Sequence, residues 1–194
     1  MSGETRERIL DEALKQFAER GFDGTTISSI ERRVGLAGGT GSFHRHFPSK
    51  RAVFDAAIER ELTRLRTIRP EREPRADAPL ERRLESDLEF LREVRSLIEI
   101  LIRERATMPH LVERVGEVLV DGGLAGITSD LFPVGSHEDP AAAATIMLCA
   151  TVGYFLTGEF FGTPPGGVDP ARYAAALAAM LSPRGRPRRA GSGR

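Results

Sequence analysis

Residues 36–50, LAGGTGSFHRHFPSK, decide the fold and the chemistry of this chain. Three glycines fall within four positions, and aromatic, histidine and basic residues follow them directly. Three kinds of site share such a composition: a glycine loop that binds a nucleotide phosphate, a His-x-His metal site, and the turn and reading helix of a DNA-binding unit. The residues around the stretch distinguish between them.

A phosphate loop and a metal site do not fit the spacing. A phosphate loop follows a strand and needs a third glycine at a set offset or a Gly-Lys-Ser/Thr ending, and GGTGSFHR has neither. His44 and His46 lie two residues apart on a predicted helix, about 200° around its axis, so they cannot converge on one ion. His110 and His137 have no carboxylate or cysteine partner at ligand spacing. We expect no metal and no other cofactor.

Two helices are predicted before the stretch. Apolar residues at three- and four-residue steps predict an amphipathic helix from Thr5 that stops at Gly21. A second, shorter helix begins at a cap on Thr25 or Thr26 and ends at Gly35. Glycine is a typical residue just after a helix, and threonine is a typical cap at the start of one.

Two more helices are predicted within and after the stretch. A short helix is expected over 40–47 and is closed by Pro48, and Ser49 can cap the next helix. A short helix, a glycine turn and a short polar helix form the helix-turn-helix plan, whose second helix enters the major groove of DNA. Phe43 and Phe47 share one face of that second helix and are expected in the core.

With these helices in place, residues 5–62 resemble the DNA-binding domain of the TetR family of bacterial transcriptional regulators. The resemblance rests on TRERILDEALKQFAERGFDGTTISSI, on VGL at the end of the second helix and on GSFHRHFPSKRAVFDAAI. It implies a homodimer that recognises a pseudo-palindromic operator in double-stranded DNA. It also implies a variable all-α body that binds a small effector.

The resemblance assigns DNA-binding roles position by position. Thr25 and Thr26 are expected to meet phosphate through a hydroxyl or the helix N-terminal amides, or simply to cap the helix. Arg45 is the candidate for bidentate guanine recognition, or else forms a surface ion pair. Lys50 resembles the phosphate-anchoring lysine of the family. The full candidate set is Thr25, Thr26, Ser28, Thr40, Gly41, Ser42, His44, Arg45, His46 and Lys50.

Two features depart from the family pattern. The turn LAGGTG is two residues longer than usual, which is expected to change how the reading helix is presented. His44 stands where a phosphate-binding tyrosine is common. Because a histidine binds phosphate more strongly when protonated, this replacement predicts an operator affinity that depends on pH.

Shifts in composition predict the domain organisation. TIRPEREPRADAP, residues 67–79, has three prolines and reads as a linker. The expected order is a helix-turn-helix DNA-binding domain over 1–66, this linker, a helical effector-binding and dimerisation domain over 80–183, and a disordered basic tail over 184–194. Residues 1–66 carry 12 basic and 10 acidic groups, whereas 67–183 carry 11 and 18. Contacts with a polyanion are therefore expected near the N-terminus.

The body is predicted to be helical throughout. Residues 80–105 carry two apolar rows and predict one helix of about 39 Å. Pro109 begins another helix, and no stretch alternates as a strand does, so the fold class is all-α. Tyr154, if buried, needs a hydrogen-bond partner that a ligand could supply. Residues that line an effector cavity, or are ordinary core, are Leu91, Val94, Ile98, Met108, Leu119, Met147, Tyr154 and Phe155.

Residues 141–158 contain no charge and reach the lower limit of membrane-span length. Alanines, threonines and the acidic flanks Glu138, Asp139 and Glu159 instead favour a buried helix and no membrane contact. The alanine-rich segments 141–161 and 170–182 are suited to pair with a second copy of the chain. MSGETRERIL has no secretory signal pattern, so we expect a cytoplasmic protein.

Three functions remain open at this point. The first is a DNA-binding repressor released by a small, mainly apolar effector. The second is a DNA-binding dimer without such an effector, regulated by a protein partner. The third, a small all-α enzyme, is disfavoured because no nucleophile–base pair, carboxylate dyad or ligand cluster lies at usable spacing. Cys149, the lone cysteine, excludes an internal disulfide and is expected in the core.

Overall fold

The computed structural model describes residues 2–36, 41–72, 78–132 and 137–182, and within these ranges the secondary structure is helical with no strand. The all-α prediction is confirmed. A π-helical turn at Glu117–Asp121 and a 3₁₀ turn at Pro165–Gly167 each lie between two of the helices. The helices are α1 (Ser2–Gly24), α2 (Ile27–Val34), α3 (Lys50–Arg72), α4 (Leu80–Glu93), α5 (Arg95–Glu104), α6 (Pro109–Gly116), α7 (Gly122–Leu131), α8 (Pro140–Phe161) and α9 (Pro170–Leu181).

The chain forms two compact units. The first contains the described residues of Met1–Glu73 and Glu89–Gly122, and the second those of Pro74–Leu88 and Gly123–Arg194. These units do not follow the boundary expected at 67–79, because α3 continues as a helix to Arg72 and residues 89–122 pack with the N-terminal helices. The division into DNA-binding and effector-binding functions stays a prediction, and the expected tail over 184–194 lies outside the described residues.

The first unit is built around the apolar face of α1. Its heptad-like spacing places Ile9, Leu10 and Phe17 on one side of the helix, where they are fully buried. They pack with side chains from α2, α3, α5 and α6 in a single cluster. Each fully buried side chain of this size stabilises the fold by roughly 1.5–3 kcal/mol. The cluster includes Ile30, Phe43, Phe47, Phe54, Ile58, Leu62, Val94, Leu97, Ile100, Met108 and Leu111.

Glycines end the first two helical segments, as the sequence predicts. Gly21 has φ 74° and ψ 177°, so regular α-helix stops there although helical turns resume to Gly24. Gly35 has φ 75° and its N–H donates to the Arg32 and Glu31 carbonyls. Thr26, rather than Thr25, caps α2: its side chain accepts from Ser29 N, and Ser29 accepts from Thr26 N. This reciprocal pair is a capping box.

The single helix expected over 80–105 is wrong. Val94, at φ −90° and ψ 7°, separates α4 from α5. Hydrogen bonds from Val94 N to Phe90 O (3.1 Å) and from Ile98 N to Val94 O (3.1 Å) keep the two helices joined through the bend. The bend accompanies burial of Val94 and of Ile100 on α5 in the first cluster. Tertiary burial therefore overrides the unbroken helical pattern of the sequence.

The second unit has its own apolar cluster, supplied by α4, α7, α8 and α9. Asp139 and Asp169 cap α8 and α9: their side chains accept from Ala142 N (2.9 Å) and Arg172 N (3.0 Å). The buried members are Leu84, Phe132, Ala143, Ala144, Met147, Ala174, Leu177, Ala178 and Leu181.

Helix α8 is not buried all round, contrary to the expectation from its composition. Ile146 is 57% exposed and Phe160 68%, and Cys149 is exposed too, so its predicted core position is wrong. One face of the helix packs in the second unit, and the opposite face is apolar without cover in the single chain. In the described part of the chain, α8 is also the one helix with the length and apolarity of a membrane span.

Candidate nucleic-acid interface

The turn between α1 and α2 places Thr26 at the surface. Thr26 is exposed and its Oγ1 accepts from Ser29 N at 3.1 Å. That bond uses the oxygen as acceptor, so the hydroxyl hydrogen can be donated outward. Ser28, also exposed, lies two residues further along α2. Both side chains are therefore accessible to a polyanion at the N-terminus of α2.

Thr25 does not belong to an accessible surface, and its predicted phosphate contact needs correction. Its side chain is fully buried, and its Oγ1 donates to the Gly21 carbonyl at 2.8 Å. The carbonyls at the end of α1 lack helical partners, and the Thr25 hydroxyl turns inward to satisfy one of them. The contribution of Thr25 is to hold the turn.

The reading segment, residues 41–47, forms helical turns instead of the regular helix expected over 40–47. Arg45 N donates to Gly41 O at 3.2 Å, and Phe47 N donates to Phe43 O at 3.0 Å. His46 N also donates to Phe43 O, at 2.9 Å, which tightens the turn to a 3₁₀-like spacing. Gly41 enters with φ 69°, a conformation that other residues rarely adopt. Thr40, at the expected start, lies outside the described residues.

The two sides of the reading segment differ in chemistry. Phe43 and Phe47 are buried, as predicted, and their rings lie 5.9 Å apart in the core of the first unit. His44 and Arg45 are exposed, and Gly41 beside them is exposed too. Anchoring by two phenylalanines thus presents an imidazole and a guanidinium to solvent.

Two candidates on this segment are less accessible than expected. His46 is half-buried. The Ser42 side-chain oxygen is buried and has no hydrogen-bond partner among the described residues. Among the described residues, Arg45 forms no ion pair with an acidic side chain, so its alternative role in a surface ion pair has no support there. Arg45 and His44 therefore remain the accessible members, and their contacts with bases or phosphates remain predictions.

Lys50 is engaged within the protein. Its Nζ donates to the carbonyls of Phe22 (2.8 Å) and Thr25 (3.0 Å), and it lies 4.3 Å from the centroid of the Phe22 ring. An ammonium has three donors, so two of them hold the α1–α2 turn and one is left over. The predicted phosphate contact would use that remaining donor.

Two arginines near this surface were not singled out from the sequence. Arg32 is exposed one helical turn after Ser28 on α2, and their i, i+4 spacing marks a shared face. The Arg6 guanidinium lies 5.0 Å from the centroid of the Phe47 ring, at the back of the reading segment. Only the tertiary fold brings Arg6 to that position.

The expected effector residues belong to both compact units. Val94 and Met108 are buried in the first unit, with Leu91 and Ile98 half-buried against the same cluster. Met147 and Phe155 are buried in the second unit. The side chain of Leu119 lies outside the described residues.

Tyr154 has a partner inside the chain. Its hydroxyl donates to the Val168 carbonyl at 2.8 Å, and its ring stacks on that of Tyr173 with centroids 4.0 Å apart. A ligand is therefore not needed to satisfy this phenol.

The first unit contains an open cavity of about 420 Å³ with a charged lining. Arg60 is one of its lining residues and pairs with Glu7 (3.0 Å), Asp11 (2.8 Å) and Glu61 (3.5 Å). Burial alone would lower the pKa of Arg60, but hydrogen bonds and charges from these carboxylates raise it overall. Of the expected effector residues, only Val94 lines this cavity. Its mostly charged lining suits an ion-pair network better than an apolar ligand.

Comparison with known proteins points to regulators of transcription. Residues 9–57 match the model of the family described as bacterial regulatory proteins, tetR family. Over 54 residues the chain is 32% identical to the biofilm operon icaADBC negative transcriptional regulator IcaR of Staphylococcus aureus. It is 39% identical over 56 residues to the transcriptional regulator YerO of Bacillus subtilis. These matches cover 28% and 29% of this chain, but only 28% and 19% of the two relatives.

A solved structure extends the similarity in fold to nearly the whole chain. The TetR-family transcriptional regulator from Cytophaga hutchinsonii superposes with a TM-score of 0.71 at 16% identity. The superposition covers 94% of this chain and 97% of that one. The shared architecture is an N-terminal helix-turn-helix domain followed by helices.

Proposed function

We propose that the chain is a DNA-binding transcriptional regulator, most simply a repressor, and not an enzyme. The match of residues 9–57 to the model of the tetR family of bacterial regulatory proteins supports this proposal. The observation that carries the proposal is the two-sided reading segment. Buried Phe43 and Phe47 anchor it, while His44 and Arg45 project from the protein. This is the arrangement that a major groove can accept.

We assign different parts of the DNA to the exposed groups of this interface. Arg45 is the candidate for bidentate hydrogen bonds to guanine, the commonest specific contact in the major groove. Thr26 and the amides at the N-terminus of α2 fit a phosphate. Ser28 and Arg32, exposed on one face of α2, fit the flanking backbone.

The proposal is tested by selecting duplexes from a random pool with the full chain, followed by a footprint on the selected DNA. The expected site is a pseudo-palindrome with half-sites about one helical turn apart. Arg45→Ala should lose preference at one or two positions of each half-site, at about 1–3 kcal/mol for each contact. Arg66→Ala, which removes an equal charge from an exposed position on α3, should keep the preference. Failure to enrich any sequence contradicts the proposal.

A homodimer is part of the proposal. On α8, Ile146 and Phe160 are exposed, and their separation of 14 residues puts them on nearly the same side of the helix. Gly153 lies between them and is also exposed. Exposed apolar side chains in this number favour a protein partner. A second copy pairing through 141–161 and 170–182 would cover them and bring two reading segments onto one operator.

Control by a small, mainly apolar effector follows from the family resemblance. It is tested by thermal unfolding in the presence of a panel of apolar compounds, because a ligand that binds the folded state raises the unfolding midpoint. A compound that raises the midpoint and releases the selected DNA supports the effector.

The second candidate function is a DNA-binding dimer controlled by a protein partner. The hydrogen bond from Tyr154 to Val168 O favours it, because that phenol is satisfied without a ligand. Both versions place the protein in the cytoplasm with its DNA, and neither requires a membrane.

A further inference from the structure

The end of α1 is held by two side chains that replace a backbone hydrogen bond. In an uninterrupted helix, Phe22 N–H would donate to the Ala18 carbonyl. Gly21, with φ 74° and ψ 177°, opens the helix between them. Phe22 N–H donates to Glu104 Oε1 at 2.7 Å, and the Ala18 carbonyl accepts from Arg103 Nε at 3.0 Å. Arg103 and Glu104, adjacent at the end of α5, thus bond to the acceptor and the donor that the break in α1 leaves unpaired.

The Glu104 carboxylate is built into this position. Its residue is more than nine-tenths buried, and its other oxygen accepts from Thr107 Oγ1 at 2.8 Å. A buried charge is stabilised only when its oxygens are hydrogen-bonded, as both are here. A Cβ on Gly21 would lie 3.0 Å from Glu104 Oε1, so the glycine also makes room for the carboxylate.

Phe22 is held on both of its backbone groups. Its N–H is bonded to Glu104 on α5, and its carbonyl accepts from Lys50 Nζ at the start of α3 at 2.8 Å. Four residues later Thr26 caps α2. The Glu104 carboxylate and the Lys50 ammonium therefore hold Phe22 from two sides, and this fixes the direction in which α2 leaves the turn.

From these contacts, the geometry points to Arg103 and Glu104 as positioning residues for operator recognition. They touch no DNA; they act through the α1–α2 turn, whose position sets Thr26 and α2 relative to the reading segment. This inference rests on the proposed DNA-binding function. When the pair is lost, sequence-specific affinity falls while binding to unrelated DNA persists, because the cationic side chains of the interface stay in place and only the register of Thr26 and α2 with the reading segment changes.

The test compares matched variants of the full chain. Glu104→Ala leaves Phe22 N–H without its acceptor, whereas Glu104→Gln keeps an acceptor oxygen of the same shape. Arg103→Ala removes the donor to Ala18, and Arg105→Ala removes the same charge two residues away, at an exposed position. The probes are a duplex selected by the unaltered chain and a scrambled duplex of equal length and composition.

Glu104→Ala and Arg103→Ala should bind the selected duplex roughly tenfold or more weakly, the loss expected when a charged hydrogen bond is missing, and the scrambled duplex within about twofold of the unaltered chain. Glu104→Gln and Arg105→Ala should bind both duplexes nearly as the unaltered chain does. Equal binding of the selected duplex by Glu104→Ala, or equal loss in Glu104→Gln and Glu104→Ala, overturns the inference.

Amide hydrogen exchange at Phe22 provides a readout that does not depend on DNA. In Glu104→Ala the Phe22 amide should exchange roughly tenfold faster, while core amides of α1 near Leu10 keep their protection. Glu104→Gln should leave the Phe22 rate unchanged. If exchange at Phe22 is the same in all variants, the bond is not what holds the turn. If the unaltered chain selects no duplex at all, the proposed function fails, and the exchange result still decides whether the pair holds the turn.

Discussion

At the scale of single residues, Gly21 has the most consequential conformation in the first unit. Its φ of 74° disfavours any side chain at this position, and a Cβ there would lie only 3.0 Å from Glu104 Oε1. The residue opens α1 and creates the hydrogen-bonding groups that Arg103 and Glu104 satisfy.

Gly21→Ala is therefore expected to lower the free energy of unfolding by roughly 1–3 kcal/mol, because the substitution strains the backbone and displaces a buried carboxylate. Urea denaturation followed by circular dichroism measures the effect. Gly116→Ala is the matched control: Gly116 has helical dihedral angles and open space around its Cα, so alanine there should stabilise by about 0.4–1 kcal/mol. Equal midpoints for the two variants would contradict the strain at Gly21.

Tyr173 is a second residue whose surroundings have a measurable consequence. Burial raises the pKa of its phenol above the ordinary value, and Tyr154 adds to the rise. The Thr151 hydroxyl, which donates to Met147 O at 2.8 Å, opposes it only in part. Since the folded state disfavours the phenolate, the stability from this group is complete below the unfolded pKa of about 10 and is lost as the pH rises from there through the higher pKa of the folded state.

A spectrophotometric titration of tyrosine checks this prediction. The chain has two tyrosines and no tryptophan, so the phenolate signal is simple to assign. In Tyr154→Phe, which keeps Tyr173 as the one tyrosine, the phenolate signal should appear above the ordinary tyrosine pKa because burial remains. Two tyrosines that titrate together at the ordinary pKa would show that burial does not act on Tyr173.

At the scale of elements, α2 combines a structural cap with a candidate phosphate contact at the same residue. The capping box of Thr26 and Ser29 satisfies two amides at the start of the helix. The exposed Thr26 hydroxyl and the amide dipoles also face outward. A single substitution would remove both contributions together, so two substitutions are needed to tell them apart.

Thr26→Ala should cost about 1 kcal/mol of stability through the lost cap and should also weaken DNA binding. Thr26→Asp should restore the stability, since aspartate is as good a cap, but should weaken DNA binding further because its charge repels phosphate. Thermal unfolding and binding to the selected duplex measure the two effects separately. If Thr26→Asp binds DNA as the unaltered chain does, the residue is only a cap.

At the scale of the whole molecule, the exposed apolar face of α8 leaves each chain with a surface that water disfavours. Phe160, Phe161 and Ile146 on α8 and Met180 on α9 are more than half exposed. The matching face of a second copy would bury them, and a pseudo-palindromic operator requires two reading segments per complex.

The double variant Ile146→Glu, Phe160→Glu is expected to shift a dimer toward monomer, because a carboxylate in an apolar interface is desolvated without a partner. Analytical ultracentrifugation measures the assembly state. Val120→Glu is the control, since Val120 is also an exposed apolar residue but lies outside α8 and α9. An unaltered chain that sediments as a monomer, or a double variant that stays dimeric, contradicts pairing through this face.

The local pattern of residues was sufficient to determine much of the fold. The helix ends at Gly35 and Pro109, and the cap at Ser49, depend on the conformations and hydrogen bonds that single residue types allow. The Ser49 Oγ accepts from Ala52 N. The burial of Phe43 and Phe47 follows from their spacing on one helical face. Such features need only neighbours within one or two turns, so they can be predicted without tertiary contacts.

Contacts between residues far apart in the sequence were decided by the tertiary structure alone. The bend at Val94, the inward position of Thr25 and the bonds from Lys50 to the α1–α2 turn depend on which helices meet. The link from Glu104 to Phe22 spans 82 positions, and no periodicity encodes it. The free energy of these features comes from desolvation and hydrogen bonding between segments, so they exist only once the helices have packed.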